Sequence, residues 1–152
     1  MMKVINISGD NQSGRTRALI DFVSCQAQEF NSKCLVVCPT NERVANLNQR
    51  CRLNQSSEFF NNVKFIGSSS FNMECISSNY DVIAFDGIEQ FNKNDEGCYK
   101  MIASSRLLTK KFGTLVYTSD GKNFRVKLWV SQAVWYKPWT WKDGYYTQDV
   151  EL

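Results

Sequence analysis

The chain has 152 residues, of which 43% are hydrophobic and 22% charged, with 18 Lys and Arg against 15 Asp and Glu and no histidine. This length predicts one domain with a hydrophobic core of its own. Without histidine the chain cannot build a Ser-His-Asp or Cys-His catalytic site, a zinc site that contains histidine, or an imidazole switch near neutral pH. Its chemistry must therefore use carboxylates, hydroxyls, thiols, cationic side chains or a bound metal ion.

The cysteines and the N-terminus indicate the compartment. No CxxC pair occurs, and Cys25, Cys34 and Cys38 lie in segments predicted to be buried helix or strand, so we expect reduced core thiols. On a strand, Cys34 and Cys38 would lie about 13 Å apart, too far to share a metal ion. Residues 1–7 turn polar after one short apolar run, unlike a signal peptide or a membrane span. We expect a soluble, cytoplasmic protein with no membrane partner.

The hydrophobic pattern alternates between short apolar runs and stretches with helical spacing. The apolar runs predict five strands, at residues 3–8, 34–38, 63–66, 80–86 and 114–118. Helices are predicted over residues 14–30, from the capping pair Thr40-Asn41 onward, and over 96–110. A polar connection covers 54–62 and a serine-rich turn 68–70. This alternation predicts an α/β fold, a three-layer αβα arrangement around a mostly parallel sheet.

The C-terminal part combines positive charge with aromatic residues. Seven basic residues stand against one acid in the segment 100–127, which suits either a solvated face or contact with phosphates. Alternation over 124–130 predicts a strand, and Asp143-Gly144 a turn. We interpret 1–121 as the core domain and 122–152 as a β-rich, hairpin-like appendage packed on it. Its aromatic residues either cover a sheet edge or expose a stacking or partner surface: Trp135, Tyr136, Trp139, Trp141, Tyr145 and Tyr146.

The most specific motif lies between the first predicted strand and the first predicted helix. It matches the phosphate-loop pattern GxxxxGK[ST] at every fixed position except Arg15, which replaces lysine. Backbone N–H groups of such a loop bind phosphate, and the Thr16 hydroxyl is predicted to bind Mg²⁺. The alternative is a glycine turn that matches by chance. The predicted nucleotide-binding residues are Gly9, Asp10, Asn11, Gln12, Ser13, Gly14, Arg15 and Thr16.

A second carboxylate motif supports the first. Asp86 ends an apolar strand about 70 residues downstream, where a Mg²⁺-binding Walker B aspartate is expected. The residue that follows is Gly87 instead of a glutamate, and the first glutamate is Glu89. We predict Arg15 on the β- and γ-phosphates and Glu89 as a displaced catalytic base. Since arginine carries a bulky planar fork in place of a compact ammonium, nucleotide binding is expected to survive better than turnover.

Four segments, in this order, resemble the landmarks of the type II thymidine kinases. They are Ser13-Gly14-Arg15-Thr16, Lys33-Cys34-Leu35-Val36-Val37, Asp86-Gly87-Ile88-Glu89-Gln90-Phe91 and Asp120-Gly121-Lys122-Asn123-Phe124-Arg125. The resemblance implies a P-loop NTPase with a RecA-like core that binds ATP and Mg²⁺. It also implies that the segment around Phe124 and Arg125 approaches the nucleoside. The zinc-binding cysteines and the nucleoside-covering lasso of that family have no recognisable counterpart in the aromatic tail.

A competing resemblance is to the first RecA-like domain of superfamily 1 helicases. Residues 38–47 are similar to their motif Ia, which touches the backbone of a single strand, and residues 115–120 to their motif III. Packaging ATPases share the phosphate loop and match less well. Aromatic and basic residues of the tail would then contact nucleic acid. The candidate contacts with substrate or nucleic acid are Asp120, Phe124, Arg125 and Trp129.

The sequence is compatible with three alternative functions. The first is an ATP- and Mg²⁺-binding protein like thymidine kinase, with weak or lost phosphoryl transfer because of Arg15 and Gly87. The second is a helicase-like or packaging-like ATPase domain that acts on nucleic acid. The third is a catalytically inactive P-loop protein that binds a protein partner through its aromatic tail. A lone RecA-like domain often needs a neighbour to complete its site, so a homo-oligomer is also considered.

Overall fold

The computed structural model describes residues 3–9, 14–70, 80–91, 113–119 and 146–151. The helices are α1 (Arg15–Glu29), α2 (Asn41–Asn54) and α3 (Ser57–Asn62). The strands are β1 (Lys3–Ser8), β2 (Cys34–Cys38), β3 (Val63–Gly67), β4 (Val82–Phe85), β5 (Thr114–Ser119) and β6 (Tyr146–Glu151). Short 3-10 turns follow β3 and β4, at Ser68–Ser70 and Ile88–Gln90.

All of these strands belong to one parallel sheet, in the order β3-β2-β4-β5-β1-β6. In register, Ser8 lies beside Ser119, and Phe85 lies beside both Val37 and Tyr117. The carboxyl ends of β1, β2, β4 and β5 therefore meet at one edge of the sheet. The predicted α/β fold with a mostly parallel sheet is confirmed, and this edge is where its loops can build a site.

Apolar residues at helical spacing hold the helices on one face of the sheet. Leu19, Val23 and Ala27 recur every four residues along α1 and are buried. They belong to the same core cluster as Leu47 of α2 and Phe59 of α3. The strand residues of this cluster alternate along their strands, as one face of a sheet requires. They are Ile5, Ile7, Cys34, Val36, Cys38, Val63, Val82, Ala84 and Val116.

The opposite face of the central strands is also buried. Leu35, Ile83 and Leu115 expose 2% or less of their surface. Phe85 packs edge-on against Phe91, with ring centroids 5.7 Å apart. A parallel sheet with both faces covered explains why β2 and β4 are apolar at every position. The helix predicted over 96–110 lies outside the described residues.

Most element boundaries follow the sequence signals, but the sequence predicted neither helix α3 nor strand β6. The Thr40 hydroxyl accepts a hydrogen bond from the Arg43 backbone N–H at 3.2 Å, so the predicted cap of α2 is confirmed. Helix α3 falls in the segment 54–62, predicted to be a polar connection. Its buried Phe59 packs on Phe60 of the same helix and on Phe65 of β3. A six-residue helix whose apolar residues are adjacent in the chain leaves little periodic signal in the sequence.

Strand β6 extends the sheet beyond β1. Its residues pair in parallel with Lys3–Ser8 over the whole length of both strands. The predicted appendage 122–152 is therefore described only at 146–151, and there it belongs to the main sheet. The hairpin interpretation of 122–145 lies outside the described residues.

The described cysteines are free thiols, as expected. Cys34, Cys38 and Cys51 are buried, whereas Cys25 is only partly buried, so the expectation that it is a core thiol is wrong. Burial raises the pKa of Cys34 and of Cys38 to about 12, helped in each case by a nearby aspartate. These two thiols stay protonated at neutral pH and are poor nucleophiles. Among the described helices, none has the length and apolar character needed to cross a membrane.

Candidate functional site

A polar cluster lies at the carboxyl edge of the sheet, where α1 begins and β4 ends. Thr16 stands in the first turn of α1, and Asp86 directly follows β4. The Thr16 hydroxyl donates a hydrogen bond of 2.9 Å to Asp86 Oδ1, although the two residues are 70 positions apart in the chain. The structure thus brings together the two residues that the sequence predicts as metal ligands.

The Asp86 carboxylate is buried and held by hydrogen bonds. Only 2% of the residue is exposed. Besides Thr16, the hydroxyl of Thr118 donates to Oδ1 at 3.3 Å, and the Gly87 backbone N–H in turn donates to the Thr118 oxygen. Thr118 is the second-last residue of β5. Because β5 separates β1 from β4, its last residues are placed to fix the carboxylate.

Arg43 is the residue of this cluster that sequence reasoning missed. Its Nε donates to Asp86 Oδ2 at 3.0 Å, and its terminal Nη2 donates to Thr16 Oγ1 at 3.0 Å. Arg43 lies in the first turn of α2, directly after β2, and β2 is the neighbour of β4. A signal was present, because loops that follow adjacent parallel strands share one edge of the sheet. Using this signal requires the order of the strands in the sheet, which cannot be obtained from the sequence pattern alone.

The ends of the predicted phosphate loop are described, and its middle is not. The Gly9 backbone N–H donates to the Ser119 carbonyl at 3.1 Å, which ties the end of β1 to β5. Gly14 has a φ of 87° and starts α1 from the left-handed region that glycine adopts easily. Arg15 is 94% buried, since 6% of it is exposed, and its Nη1 donates to the Gly9 carbonyl at 3.3 Å. Residues 10–13 lie outside the described part of the chain.

A pocket of about 510 Å³ opens over the Thr16–Asp86 pair. Four arginines contribute to its wall: Arg15, Arg17, Arg43 and Arg50. The other lining residues are Gly14, Thr16, Asp86, Gly87 and Gln90. A second groove of about 490 Å³ between α1 and α2 shares Arg17 and Arg50 with it. This excess of positive charge over a single buried carboxylate favours an anionic ligand.

The geometry fits a Mg²⁺ ion at the Thr16–Asp86 pair. Adjacent ligands of an octahedral Mg²⁺, each at about 2.1 Å from the ion, lie about 3 Å apart. Thr16 Oγ1 and Asp86 Oδ1 are 2.9 Å apart, and both are hard oxygen donors. Within the described residues no cluster of three His, Cys, Asp or Glu side chains could hold a metal by itself. Mg²⁺ commonly uses one or two protein ligands with waters and substrate phosphates, which matches this sparse donor set.

The remaining predicted residues are only partly placed. Gly87 has a φ of 69°, and Glu89 lies in the 3-10 turn Ile88–Gln90 that follows it. The turn therefore runs next to the pocket, whose wall includes Gln90. The predicted nucleotide contacts Asp10, Asn11, Gln12 and Ser13 lie outside the described residues. The predicted substrate or nucleic-acid contacts Asp120, Phe124, Arg125 and Trp129 do so as well.

No protein-family model matches this chain, and no curated protein sequence matches it significantly. Fold and site together define an α/β protein with a parallel sheet and a cationic pocket at its carboxyl edge. The buried centre of that pocket is the Thr16–Asp86–Arg43 cluster.

Proposed function

We propose that the chain is a P-loop protein that binds ATP with Mg²⁺ and has weak or lost phosphoryl-transfer activity. The observation that carries the proposal is the 2.9 Å hydrogen bond between Thr16 and Asp86. A hydroxyl at the start of the helix after a glycine loop, paired with a strand-end aspartate, is the arrangement that binds Mg²⁺ in P-loop NTPases. The cofactors of this proposal are therefore ATP and Mg²⁺.

The topology supports a ligand at this place. The chain leaves β2 towards β3, and it leaves the neighbouring strand β4 towards β5, in the opposite direction across the sheet. Open α/β sheets bind ligands in the crevice formed at such a reversal. Arg43 follows β2 and Asp86 follows β4, so the two residues meet in that crevice at 3.0 Å.

The residues next to the two proposed metal ligands support weak turnover: Arg15 precedes Thr16, and Gly87 follows Asp86. Arg15 stands where a compact ammonium normally approaches the terminal phosphates, and its guanidinium bonds to the Gly9 carbonyl. Gly87 stands where a carboxylate would orient the attacking group. Phosphoryl transfer depends mainly on positioning and charge neutralisation, so these two differences are expected to lower the rate more than the affinity.

A calorimetric titration with ATP tests the proposal, in excess Mg²⁺ and again in EDTA. We expect Mg²⁺-dependent binding by the unaltered chain, weakened about tenfold in Thr16→Val, which removes the hydroxyl but keeps the shape. Thr16→Ser is the matched control, because it keeps the oxygen ligand and should keep the affinity. Undetectable nucleotide affinity in the unaltered chain, or equal affinities in Thr16→Val and Thr16→Ser, would overturn the proposal.

A nucleic-acid-dependent ATPase is the second candidate, and the groove between α1 and α2 favours it. Arg17 and Arg50 are exposed where this groove joins the ATP pocket, and neither forms an ion pair within the described residues. Exposed arginines beside a nucleotide site suit the phosphates of a single strand. Phosphate release should then rise on addition of single-stranded DNA or RNA, and more steeply at low salt. If neither DNA nor RNA changes the rate of phosphate release, the nucleic-acid-dependent ATPase is excluded and the first candidate remains.

A further inference from the structure

Arg43 contacts both residues that the proposed Mg²⁺ site would use. Its Nε lies 3.0 Å from Asp86 Oδ2 and its Nη2 lies 3.0 Å from Thr16 Oγ1. One planar guanidinium thus bridges the two side chains and neutralises the buried carboxylate. A divalent ion bound to Thr16 Oγ1 and Asp86 Oδ1 would lie within a few ångströms of this guanidinium, and the two cations would repel each other.

We propose that Arg43 is an internal cation that competes with Mg²⁺ for Thr16 and Asp86 and is transferred to the phosphates when ATP·Mg²⁺ binds. The inference rests on the proposed function of the same site. In the nucleotide-free protein Arg43 satisfies Asp86. With Mg²⁺ held by Thr16 and Asp86, the carboxylate would no longer need Arg43, and the released guanidinium would bind the phosphate oxygens.

The surroundings of Arg43 allow this transfer. Its side chain is 40% exposed, whereas that of Asp86 is 3% exposed, so the arginine can move while the carboxylate stays in place. Arg43 also lines the pocket that would receive the phosphates. Its backbone is fixed by the Thr40 cap, so a change of side-chain rotamer is sufficient. The guanidinium fork is well matched to phosphate oxygens.

The competition predicts effects of opposite sign in two titrations of Arg43→Ala. Without nucleotide, Mg²⁺ should bind about tenfold more tightly than to the unaltered chain, because its competitor is gone. ATP in excess Mg²⁺ should bind severalfold more weakly, because a phosphate contact is lost. Arg50→Ala is the matched control: Arg50 lines the same pocket but contacts neither Thr16 nor Asp86 within the described residues. It should change the affinity for Mg²⁺ alone much less.

Thermal unfolding provides a readout that needs no nucleotide. Arg43→Ala leaves Asp86 without its counter-ion, so its melting temperature should fall, and added Mg²⁺ should raise it more than in the unaltered chain. Arg43→Gln keeps hydrogen-bond donors without the charge. Arg43→Gln replaces Arg43→Ala in these titrations if the alanine variant does not fold. It should show the same increase in affinity for Mg²⁺. Equal Mg²⁺ affinity in the Arg43 and Arg50 variants would overturn the competition even if ATP binds normally. Absence of ATP binding in the unaltered chain would instead overturn the proposed function.

Discussion

Asp86→Asn is expected to weaken ATP·Mg²⁺ binding by about 30- to 100-fold and to abolish the difference between titrations in Mg²⁺ and in EDTA. The substitution keeps the size of the side chain and removes its charge, which is the property that a divalent ion requires. Loss of a charge-assisted interaction of about 2–2.7 kcal/mol corresponds to this change in affinity. Calorimetry in both buffers measures it, with the folded fraction checked by circular dichroism.

The same strand offers a matched control for Asp86. Asp81 lies before β4, at the opposite end of the strand, where its carboxylate accepts a hydrogen bond from the Lys33 backbone N–H at 2.9 Å. Asp81→Asn removes one negative charge next to the same strand, at its other end, and should leave the Mg²⁺ dependence of ATP binding unchanged. If Asp86→Asn kept the Mg²⁺ dependence of the unaltered chain, Asp86 would have no part in metal binding.

Asp86→Asn also bears on stability, because the buried carboxylate neutralises Arg43. Asparagine accepts at only one side-chain oxygen, so the bonds from Thr16, Thr118 and Arg43 cannot all persist. Since Arg43 is 40% exposed, water can replace its lost partner. We therefore expect a modest loss of stability, about 1–2 kcal/mol. The loss of ATP affinity should exceed it, which separates a role in binding from a role in folding.

The sheet could be predicted from the sequence because its strands are buried on both faces. Segments such as Cys34–Cys38 are apolar at every position and are bounded by turn residues, which is a strong local signal. The helix over Arg15–Glu29 has an equally clear periodicity. Strand β6 carries no such signal, since its sequence, YTQDVE, is largely polar. It joins the sheet by backbone pairing with β1, a long-range interaction that local patterns do not encode.

The residues of the candidate site likewise divide into those that a local motif predicts and those that only the sheet topology brings together. Thr16 and Asp86 could be singled out because each stands at a fixed place in a short motif, and the structure brings them within 2.9 Å. Arg43 could not, since its contact with Asp86 depends on β2 being next to β4 in the sheet. The strand order also explains the role of Thr118, which lies between the two motifs in space but follows both in the chain. Contacts set by topology become visible only when the sheet is assembled.

Placing a glutamate after Asp86 is not expected to produce phosphoryl-transfer activity. Gly87 has a φ of 69°, where side-chain-bearing residues are strained by about 1–2 kcal/mol. A Cβ atom at this position would also lie 3.2 Å from the Gln90 side-chain nitrogen. Gly87→Glu should therefore destabilise the protein by about 1–2 kcal/mol in urea unfolding and should not raise phosphate release. The backbone conformation at the end of β4 thus favours glycine over glutamate at position 87.

Two further variants separate the effect of backbone strain at Gly87 from the effect of the arginine at position 15. Gly87→Asn should cost less stability than Gly87→Glu, because asparagine adopts the left-handed region more readily than other non-glycine residues. Arg15→Lys should raise phosphate release, because it returns a compact ammonium to the phosphate loop without changing the Gly87 turn. If Gly87→Glu instead raised phosphate release with no loss of stability, the turn after β4 would be adaptable. In that case the side chain at position 87 alone would limit turnover.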